Sequence, residues 1–344
     1  MESQTYSQTL SCRIVCRQPG LLPYGFGFPM GPQYLVRKID SSEGVGEWGR
    51  PVKHAKPAAI ERTPSTSPVV VDANGDPNDK AAYEGRYPQE SLRCRRFYNL
   101  APGKFWHPYW TNVDRASGWG DPLKADAGFI DVDLLRREPF PVGNDSAELV
   151  YSGHALSHLT DEGVRHVLLE AFRILKPGGY LRTSTPDILL EYRAFQDRDL
   201  PFYSWRDFYS RPGNYEHLFN RPLNQASIQQ LFLWRFASHV STLHASSPAE
   251  RIGDEQVDKL FSTLPLDEAL DYCSSRCLPE FQRQGPSSHI SWWSFEKMSR
   301  AMMEAGFREV FRSGYGQSFA PPMRNTKIFD KTRPPASLYV EARK

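Results

Sequence analysis

The chain has 344 residues, of which 40% are hydrophobic and 24% charged, as is usual for a globular protein. Its 42 basic and 40 acidic side chains leave a net charge of +2, so no global field favours nucleic acid or an anionic membrane. No apolar run approaches the length of a membrane span, and the N-terminus lacks the layout of a signal peptide. These features exclude a membrane protein and predict a cytoplasmic one.

Five cysteines are spread along the chain as two Cys-x-x-x-Cys pairs and one single residue: Cys12, Cys16, Cys94, Cys273 and Cys277. The odd number makes a poor disulfide framework. The two pairs could together bind zinc as four thiolates, but most tight structural sites use a shorter spacing. Reduced, partly buried cysteines are the favoured interpretation, and no metal site is predicted.

Residues 1–90 contain many turn formers, such as Pro19-Gly20 and Asn74-Gly75-Asp76-Pro77, and show little periodicity. The pattern predicts an irregular extension, with a flexible linker at about 40–85. This extension could lie on the globular body, or contact a second copy of the chain or another protein.

From Arg93 onward, short apolar runs alternate with helical patterns, as βαβ units of a parallel sheet require. The predicted strands are Arg96 to Leu100, Trp110 to Val113, Phe129 to Val132, Ala147 to Ser152, Tyr180 to Ser184, Glu309 to Arg312 and Ser337 to Ala342. We therefore expect an α/β domain over residues 91–344.

The clearest helix is predicted from Asp161 to Leu175, with apolar residues at steps of three and four. Thr160 is its expected N-cap, and two acidic residues follow it in the first turn. The Lys176-Pro177-Gly178-Gly179 sequence predicts a stop and a tight turn into the next strand. Another helix is predicted from Ser294 to Ala305, ending at Gly306.

An aromatic-rich stretch occupies about residues 187–285 and is too apolar for a simple loop. We expect a mostly helical insertion that covers one edge of the sheet, either as a lid or as a dimer surface. Plain core packing of these aromatic side chains is an equally weighted alternative.

Several short motifs occur in one order along the chain: Tyr98–Gly103, Trp110–Asp114, Asp133-Leu134, Leu149–Leu159, Glu170–Arg182 and Thr185–Asp187. This ordered set resembles the S-adenosylmethionine (SAM)-dependent methyltransferases of the type 11 group. It is most similar to the predicted methyltransferases of sugar and cell-surface polysaccharide pathways. The resemblance covers about residues 93–344 and implies a Rossmann-like methyltransferase fold, a mostly parallel seven-stranded sheet with helices on both faces.

The same resemblance implies SAM as the cofactor and assigns roles to residues at the carboxyl ends of the strands, where open α/β sheets bind ligands. The turn after the first strand, with Asn99, Ala101 and Gly103, approaches the cofactor. Asp114 can accept hydrogen bonds from the two ribose hydroxyls. The remaining assignments place Asp133 and Leu134 beside the adenine, Ser152 beside the cofactor, and His154 beside the methyl acceptor.

Two departures from the family pattern affect the expected activity. Ala101 and Pro102 replace flexible positions of a glycine-rich turn, which adds a methyl group and removes an N–H donor, so cofactor affinity could fall. Ser157 replaces a carboxylate. The favoured hypothesis is methyl transfer to the oxygen or nitrogen of a small-molecule or carbohydrate acceptor, with His154 as base. The alternative is an inactive methyltransferase-fold protein that acts as a structural or interaction subunit.

A nucleic-acid methyltransferase is disfavoured by the near-neutral charge. The chain also lacks an Asn/Asp-Pro-Pro-aromatic motif after the fourth strand.

Overall fold

The computed structural model describes residues 77–103, 105–116, 128–211 and 216–344. The predicted extension up to residue 76, with Cys12 and Cys16, lies outside this range. Residues 77–90, which the sequence analysis assigned to the extension, instead form part of the globular body. Two helices begin there, and the Tyr83 side chain is fully buried beside Phe97. The described residues from Pro77 onward therefore belong to the globular body.

Seven strands form one sheet: β1 (Phe97–Leu100), β2 (Trp110–Asp114), β3 (Phe129–Asp131), β4 (Ala147–Gly153), β5 (Leu175–Pro186), β6 (Glu309–Ser313) and β7 (Ser337–Arg343). Their spatial order is β3-β2-β1-β4-β5-β7-β6. The first five strands are parallel, and β7 is antiparallel to both β5 and β6. This sheet confirms the predicted Rossmann-like methyltransferase fold, and its order reverses between β1 and β4.

Ten α-helices lie within the described residues: α1 (Pro77–Tyr83), α2 (Gln89–Arg93), α3 (Asp161–Ile174), α4 (Ile188–Gln196), α5 (Trp205–Tyr209), α6 (Ile228–Leu233), α7 (Asp254–Thr263), α8 (Leu266–Ser274), α9 (Pro279–Gln284) and α10 (Phe295–Glu304). One sheet face packs against α3 and α10 through residues such as Leu100 and Val150. The opposite face packs against α1 and the segment before β7, through Trp110 and Phe329. Because successive side chains of a strand point to opposite faces of the sheet, the strands contribute to two hydrophobic cores, one on each face.

The α3 helix begins after Thr160, whose hydroxyl accepts the Gly163 N–H at 3.1 Å, as the sequence predicted. The predicted tight turn that follows it is wrong. β5 begins at Leu175 directly after the helix, and residues 176–179 form an irregularity inside the strand, between the pairs Ala147–Leu175 and Leu149–Tyr180. Gly178 has a φ of 83°, so the glycine that suggested a turn permits a bulge instead.

The connection from β1 to β2 spans only residues 101–109, and its described residues, all except Lys104, contain no helix. Parallel neighbours are usually joined by a dozen or more residues that include a helix. As a consequence, no helix N-terminus follows β1, and the backbone and side chains of this short loop line the carboxyl end of the strand.

The segment from α4 to α9 has a hydrophobic core of its own, to which Trp292 also contributes. Many of the aromatic side chains pack there; Phe195 and Phe232, for example, stack with ring centroids 4.9 Å apart. Core packing, the plainer of the two expectations, therefore describes many of these residues. Within the described ranges, no helix is long and apolar enough to cross a membrane.

Candidate functional site

The turn after β1 brings backbone to the carboxyl edge of the sheet. Ala101 adopts a left-handed conformation with a φ of 49°, and its N–H donates to the Val113 carbonyl at 2.9 Å. Gly103 is also left-handed, with a φ of 57°, and a Cβ built on it would meet no atom within 4 Å. Asn99 lies just before this turn, 2% exposed, in register with Asn112 and Tyr151 on the flanking strands. The turn thus borders open space.

Asp114 ends β2 at the same edge, because β1 and β2 are parallel and paired in register. Its Oδ1 accepts the N–H of Arg115 at 2.7 Å. A carboxylate has about four acceptor positions, so a carboxylate at this edge is a group suited to hydrogen bonds from ligand hydroxyls.

Asp133 follows β3 and caps a short 3-10 helix, since its Oδ1 accepts the Leu135 N–H at 3.0 Å. Its other oxygen, Oδ2, is surrounded by three guanidinium groups, those of Arg136 at 3.4 Å, Arg115 at 3.9 Å and Arg283 at 3.9 Å. Arg283 comes from α9, so the helical insertion reaches this part of the edge. The Leu134 side chain is buried in the main core, and its role beside an adenine ring stays a prediction.

Ser152 and His154 lie at the carboxyl end of β4, next to the point where the strand order reverses. The Ser152 hydroxyl is buried and has no hydrogen-bond partner among the residues that the structure describes. His154 has a left-handed φ of 55°, and its N–H donates to the Ser184 carbonyl at 2.8 Å. A buried hydroxyl without a partner is costly, which makes Ser152 a candidate ligand contact.

The imidazole of His154 is fixed by the first residue of β7. Its Nε2 lies 2.6 Å from Ser337 Oγ, and that hydroxyl lies 2.8 Å from the Arg333 carbonyl and 3.0 Å from the Thr332 carbonyl. If the hydroxyl donates to one of these carbonyls, Ser337 accepts a hydrogen bond from Nε2–H and the ring lone pair lies on Nδ1; a hydroxyl that donates to Nε2 gives the opposite tautomer.

Burial, then the positive charges of Arg235 and Arg333, holds the pKa of His154 well below its usual 6.5. Two further histidines behave alike. Burial lowers the pKa of His158 to about 4, and burial with the neighbouring His158 lowers that of His289. The rings of His158 and His289 lie 4.6 Å apart. All three imidazoles are therefore neutral at pH 7.

Sequence reasoning missed the charged side chains that line the same edge beyond β5. Arg235 Nε donates to Glu191 Oε1 at 2.7 Å, and both side chains are almost completely buried. Arg333 lies over the ring of Trp205, 5.2 Å from its centroid. The signal that could have found them is a charge inside an apolar run, as with Arg235 directly after Leu231-Phe232-Leu233-Trp234.

The described part of the chain has no group of three or more histidine, cysteine, aspartate or glutamate side chains that could hold a metal ion. Cys273 and Cys277 are free and buried. Burial raises the pKa of both thiols to about 12, so they stay protonated at pH 7.

These features fit a nucleoside cofactor. Gly103 leaves space for close approach of a ligand to the backbone, Asp114 offers carboxylate oxygens to hydroxyls, and Ser152 Oγ is a buried polar atom without a described partner. They lie on three neighbouring strands at the switch point, where open α/β sheets bind ligands.

Comparison with known proteins agrees with this arrangement. A family model described as a methyltransferase domain, of the type 11 group, matches residues 113–183. The match includes Asp114, Asp133, Ser152 and His154 but begins after the turn that holds Ala101 and Gly103. No curated protein matches this chain significantly. The matched domain and the sheet order identify a SAM-dependent methyltransferase fold, and the predicted cofactor, SAM, is confirmed.

Solved structures of low similarity include three methyltransferases. One is the SAM-dependent methyltransferase SibL in its apo form, with 14% identity, a TM-score of 0.31, and coverage of 78% of this chain and 54% of SibL. A Mesorhizobium loti SAM-dependent methyltransferase has 16% identity, a TM-score of 0.35, and coverage of 79% of this chain and 100% of the other. Human N-acetylserotonin methyltransferase in complex with SAM has 12% identity, a TM-score of 0.33, and coverage of 80% of this chain and 52% of the human enzyme. The chain thus spans about half the length of SibL and of the human enzyme.

Proposed function

We propose that the chain is an active SAM-dependent methyltransferase that methylates the oxygen or nitrogen of a small-molecule acceptor. The observation that carries this proposal is the convergence of Asp114, Ser152 and His154 at the carboxyl ends of β2 and β4, on the two sides of β1. Asp114 would accept hydrogen bonds from the ribose, and the backbone of the turn at Ala101 and Gly103 would contact the cofactor. A carbohydrate acceptor belongs to the same proposal.

The bound cofactor supplies a methyl group on a sulfonium that is already a good leaving group, so the chain's own task is to align the acceptor and exclude water. In this proposal, His154 would accept the acceptor's proton on Nδ1. It is neutral at pH 7 because burial and nearby guanidinium groups lower its pKa, and its orientation is fixed by Ser337. For an amine acceptor, the same lone pair would orient an N–H.

A direct test measures binding of S-adenosylhomocysteine and then methyl transfer. We expect wild-type protein to bind it with micromolar affinity and His154→Gln to bind it equally well. Turnover of a hydroxylated acceptor should fall by 10²-fold or more in His154→Gln, in line with typical general-base contributions.

The rival hypothesis, an inactive structural subunit, draws on Ala101, Pro102, Ser157 and the long N-terminal extension, and the absence of a helix among the described residues between β1 and β2 is consistent with it. A folded protein without cofactor-dependent stabilisation would support this rival and contradict the proposal.

A further inference from the structure

Two guanidinium groups lie around one aromatic ring near the carboxyl end of β5 and the amino end of β7. The Arg235 Cζ is 6.0 Å and the Arg333 Cζ 5.2 Å from the centroid of the Trp205 ring, and Arg333 is also 6.0 Å from that of Tyr209. The Arg235 side chain is 3% exposed, whereas Arg333 and Tyr209 are partly exposed. We call the set Arg235, Arg333, Trp205 and Glu191 the arginine site.

The arginine site has more positive than negative charge. Glu191 is paired with Arg235, and the nearby Asp187 is paired with Arg312 at 3.2 Å. The three histidines nearby are neutral because burial lowers their pKa values. With Glu191 ionised, one positive charge is left over among the described side chains. Burying an uncompensated charge is costly, so an anion would stabilise the site.

The site also has hydrogen-bond donors without described partners. Arg235 Nη2 and Trp205 Nε1 are buried and donate to no atom of the described residues. Glu191 Oε2 is a buried acceptor in the same situation. Two donors and a surplus of positive charge match a carboxylate, and Glu191 Oε2 could accept a hydroxyl or amine proton of the same ligand.

The arginine site is directly connected to the proposed base. Ser337 Oγ lies 2.6 Å from His154 Nε2 and 2.8 Å from the Arg333 carbonyl. The chain therefore joins the two groups through one hydroxyl, at the end of the sheet that also holds Ser152. The charges of Arg235 and Arg333 are close enough to lower the pKa of His154, so a ligand bound to these arginines would lie near His154.

We propose that Arg235 and Arg333 hold the carboxylate of the methyl acceptor, so that the substrate is a small anionic molecule; this inference rests on the proposed function. A carboxylate fits better than a phosphate because one negative charge balances the one surplus positive charge. The two oxygens of a carboxylate can also accept hydrogen bonds from Arg235 Nη2 and Trp205 Nε1, the two buried donors without described partners. The Trp205 ring supplies an apolar wall for the rest of the acceptor.

The test uses benzoate and benzamide, which have nearly the same shape but differ in charge, titrated calorimetrically into the full chain at constant ionic strength. Benzoate should bind saturably and at least about tenfold more tightly than benzamide, as charge-assisted hydrogen bonds predict. Arg333→Gln should remove most of this difference without changing the affinity for benzamide. Arg300→Gln, which changes an exposed arginine of α10, should leave both affinities unchanged.

Glu191→Gln is a second variant with the opposite expected effect. It keeps a hydrogen-bonding side chain of the same size but removes the negative charge, so benzoate should bind several-fold more tightly. Equal binding of benzoate and benzamide by wild-type protein, or benzoate affinity that neither variant alters, would overturn the proposal. Inorganic phosphate binding tenfold more tightly than benzoate would overturn the carboxylate assignment.

A parallel titration with S-adenosylhomocysteine keeps the two proposals apart. Failure of that titration with intact benzoate binding contradicts the methyltransferase activity and, with it, the assignment of the anion as a methyl acceptor. Cofactor binding without benzoate selectivity contradicts the anionic acceptor alone.

Discussion

Ala101 shows how a residue can depart from a glycine-rich pattern while the backbone keeps a glycine-like conformation. Its φ of 49° lies in the left-handed region, where a non-glycine residue costs roughly 1–2 kcal/mol. The sequence predicted an added methyl group at this position, but it could not show that the backbone tolerates it. Ala101 therefore keeps the backbone conformation expected of a glycine at this position, at the cost of local strain.

This strain gives a prediction for Ala101→Gly. We expect the free energy of unfolding to rise by up to about 1 kcal/mol, because relief of the left-handed strain exceeds the greater entropy lost by glycine on folding. Ala155→Gly, at an ordinary φ of −95°, is the control and should destabilise by about 1 kcal/mol. Urea denaturation measures both. Equal destabilisation by the two substitutions would show that Ala101 is not strained.

Some residues of the candidate site can be predicted from the sequence, and others cannot. Asp114, Ser152 and His154 were candidates from the sequence because each lies at the end of a predicted strand, within the ordered motifs that resemble a methyltransferase. The pairing of Glu191 with Arg235 could not be predicted, since it joins positions 44 residues apart, although a charge inside an apolar run marks each residue as unusual. The chemistry of the acceptor side therefore required the tertiary structure.

Among the elements, α3 was predicted almost to the residue because its apolar period and its Thr160 cap agree. The start of β5 was not predicted correctly. The Lys176-Pro177-Gly178-Gly179 sequence favours a turn locally, whereas the pairing of β5 with β4 continues on both sides of it. Tertiary pairing thus overrode local preference. The role of α1 was also missed, because its main anchor, Tyr83, depends on partners such as Trp110, whose Nε1 donates to Tyr83 OH at 2.6 Å.

A buried cluster ties the segment between β6 and β7 to β5, and it yields a prediction about stability. Arg182, fully buried on β5, donates to Asp330 Oδ2 at 2.5 Å and lies 3.3 Å from Glu341. Arg182→Met should cost about 3–5 kcal/mol, because it leaves buried carboxylates without their partner. Arg343→Met, which breaks an exposed pair with Glu309, should cost less than about 1 kcal/mol. Similar losses of unfolding free energy in the two variants would contradict this role.

Two histidines of the insertion predict how stability depends on pH. His239 Nδ1 accepts the Leu278 N–H at 3.1 Å, and His244 Nδ1 accepts the Ser247 N–H at 3.1 Å. Both rings must be unprotonated at Nδ1 to make these hydrogen bonds. Burial lowers the pKa of each to about 4, against about 6.5 in the unfolded chain.

Because the unfolded state binds protons first, stability should be highest above pH 6.5 and should fall as the pH drops from about 6.5 towards about 4. Each histidine contributes roughly 1.4 kcal/mol per pH unit in this window. Chemical denaturation of wild-type protein and His244→Gln between pH 7.5 and about 5 measures the effect, and the variant should show the shallower dependence. An unchanged slope would mean that His244 is not held neutral.

At the scale of the whole molecule, a sheet with the methyltransferase strand order and a helical segment with its own hydrophobic core meet at the carboxyl ends of the parallel strands, where the candidate site lies. The sheet supplies Asp114, Ser152 and His154, and the helical segment supplies Glu191, Arg235 and, beside Asp133, Arg283. The alternation of short apolar runs with helical patterns made the sheet predictable. The second core was not, since aromatic density alone does not distinguish a lid from packed helices.

The most direct test of the account is calorimetric titration of wild-type protein, Asp114→Asn and Asp145→Asn with S-adenosylhomocysteine. Asp145 is an exposed aspartate before β4, at the opposite edge of the sheet. We predict micromolar binding by wild-type protein and by Asp145→Asn, and at least about tenfold weaker binding by Asp114→Asn, which loses charged acceptors for the ribose hydroxyls. Absence of binding by folded wild-type protein, or equal affinity in all three, would contradict a cofactor site at the carboxyl end of β2.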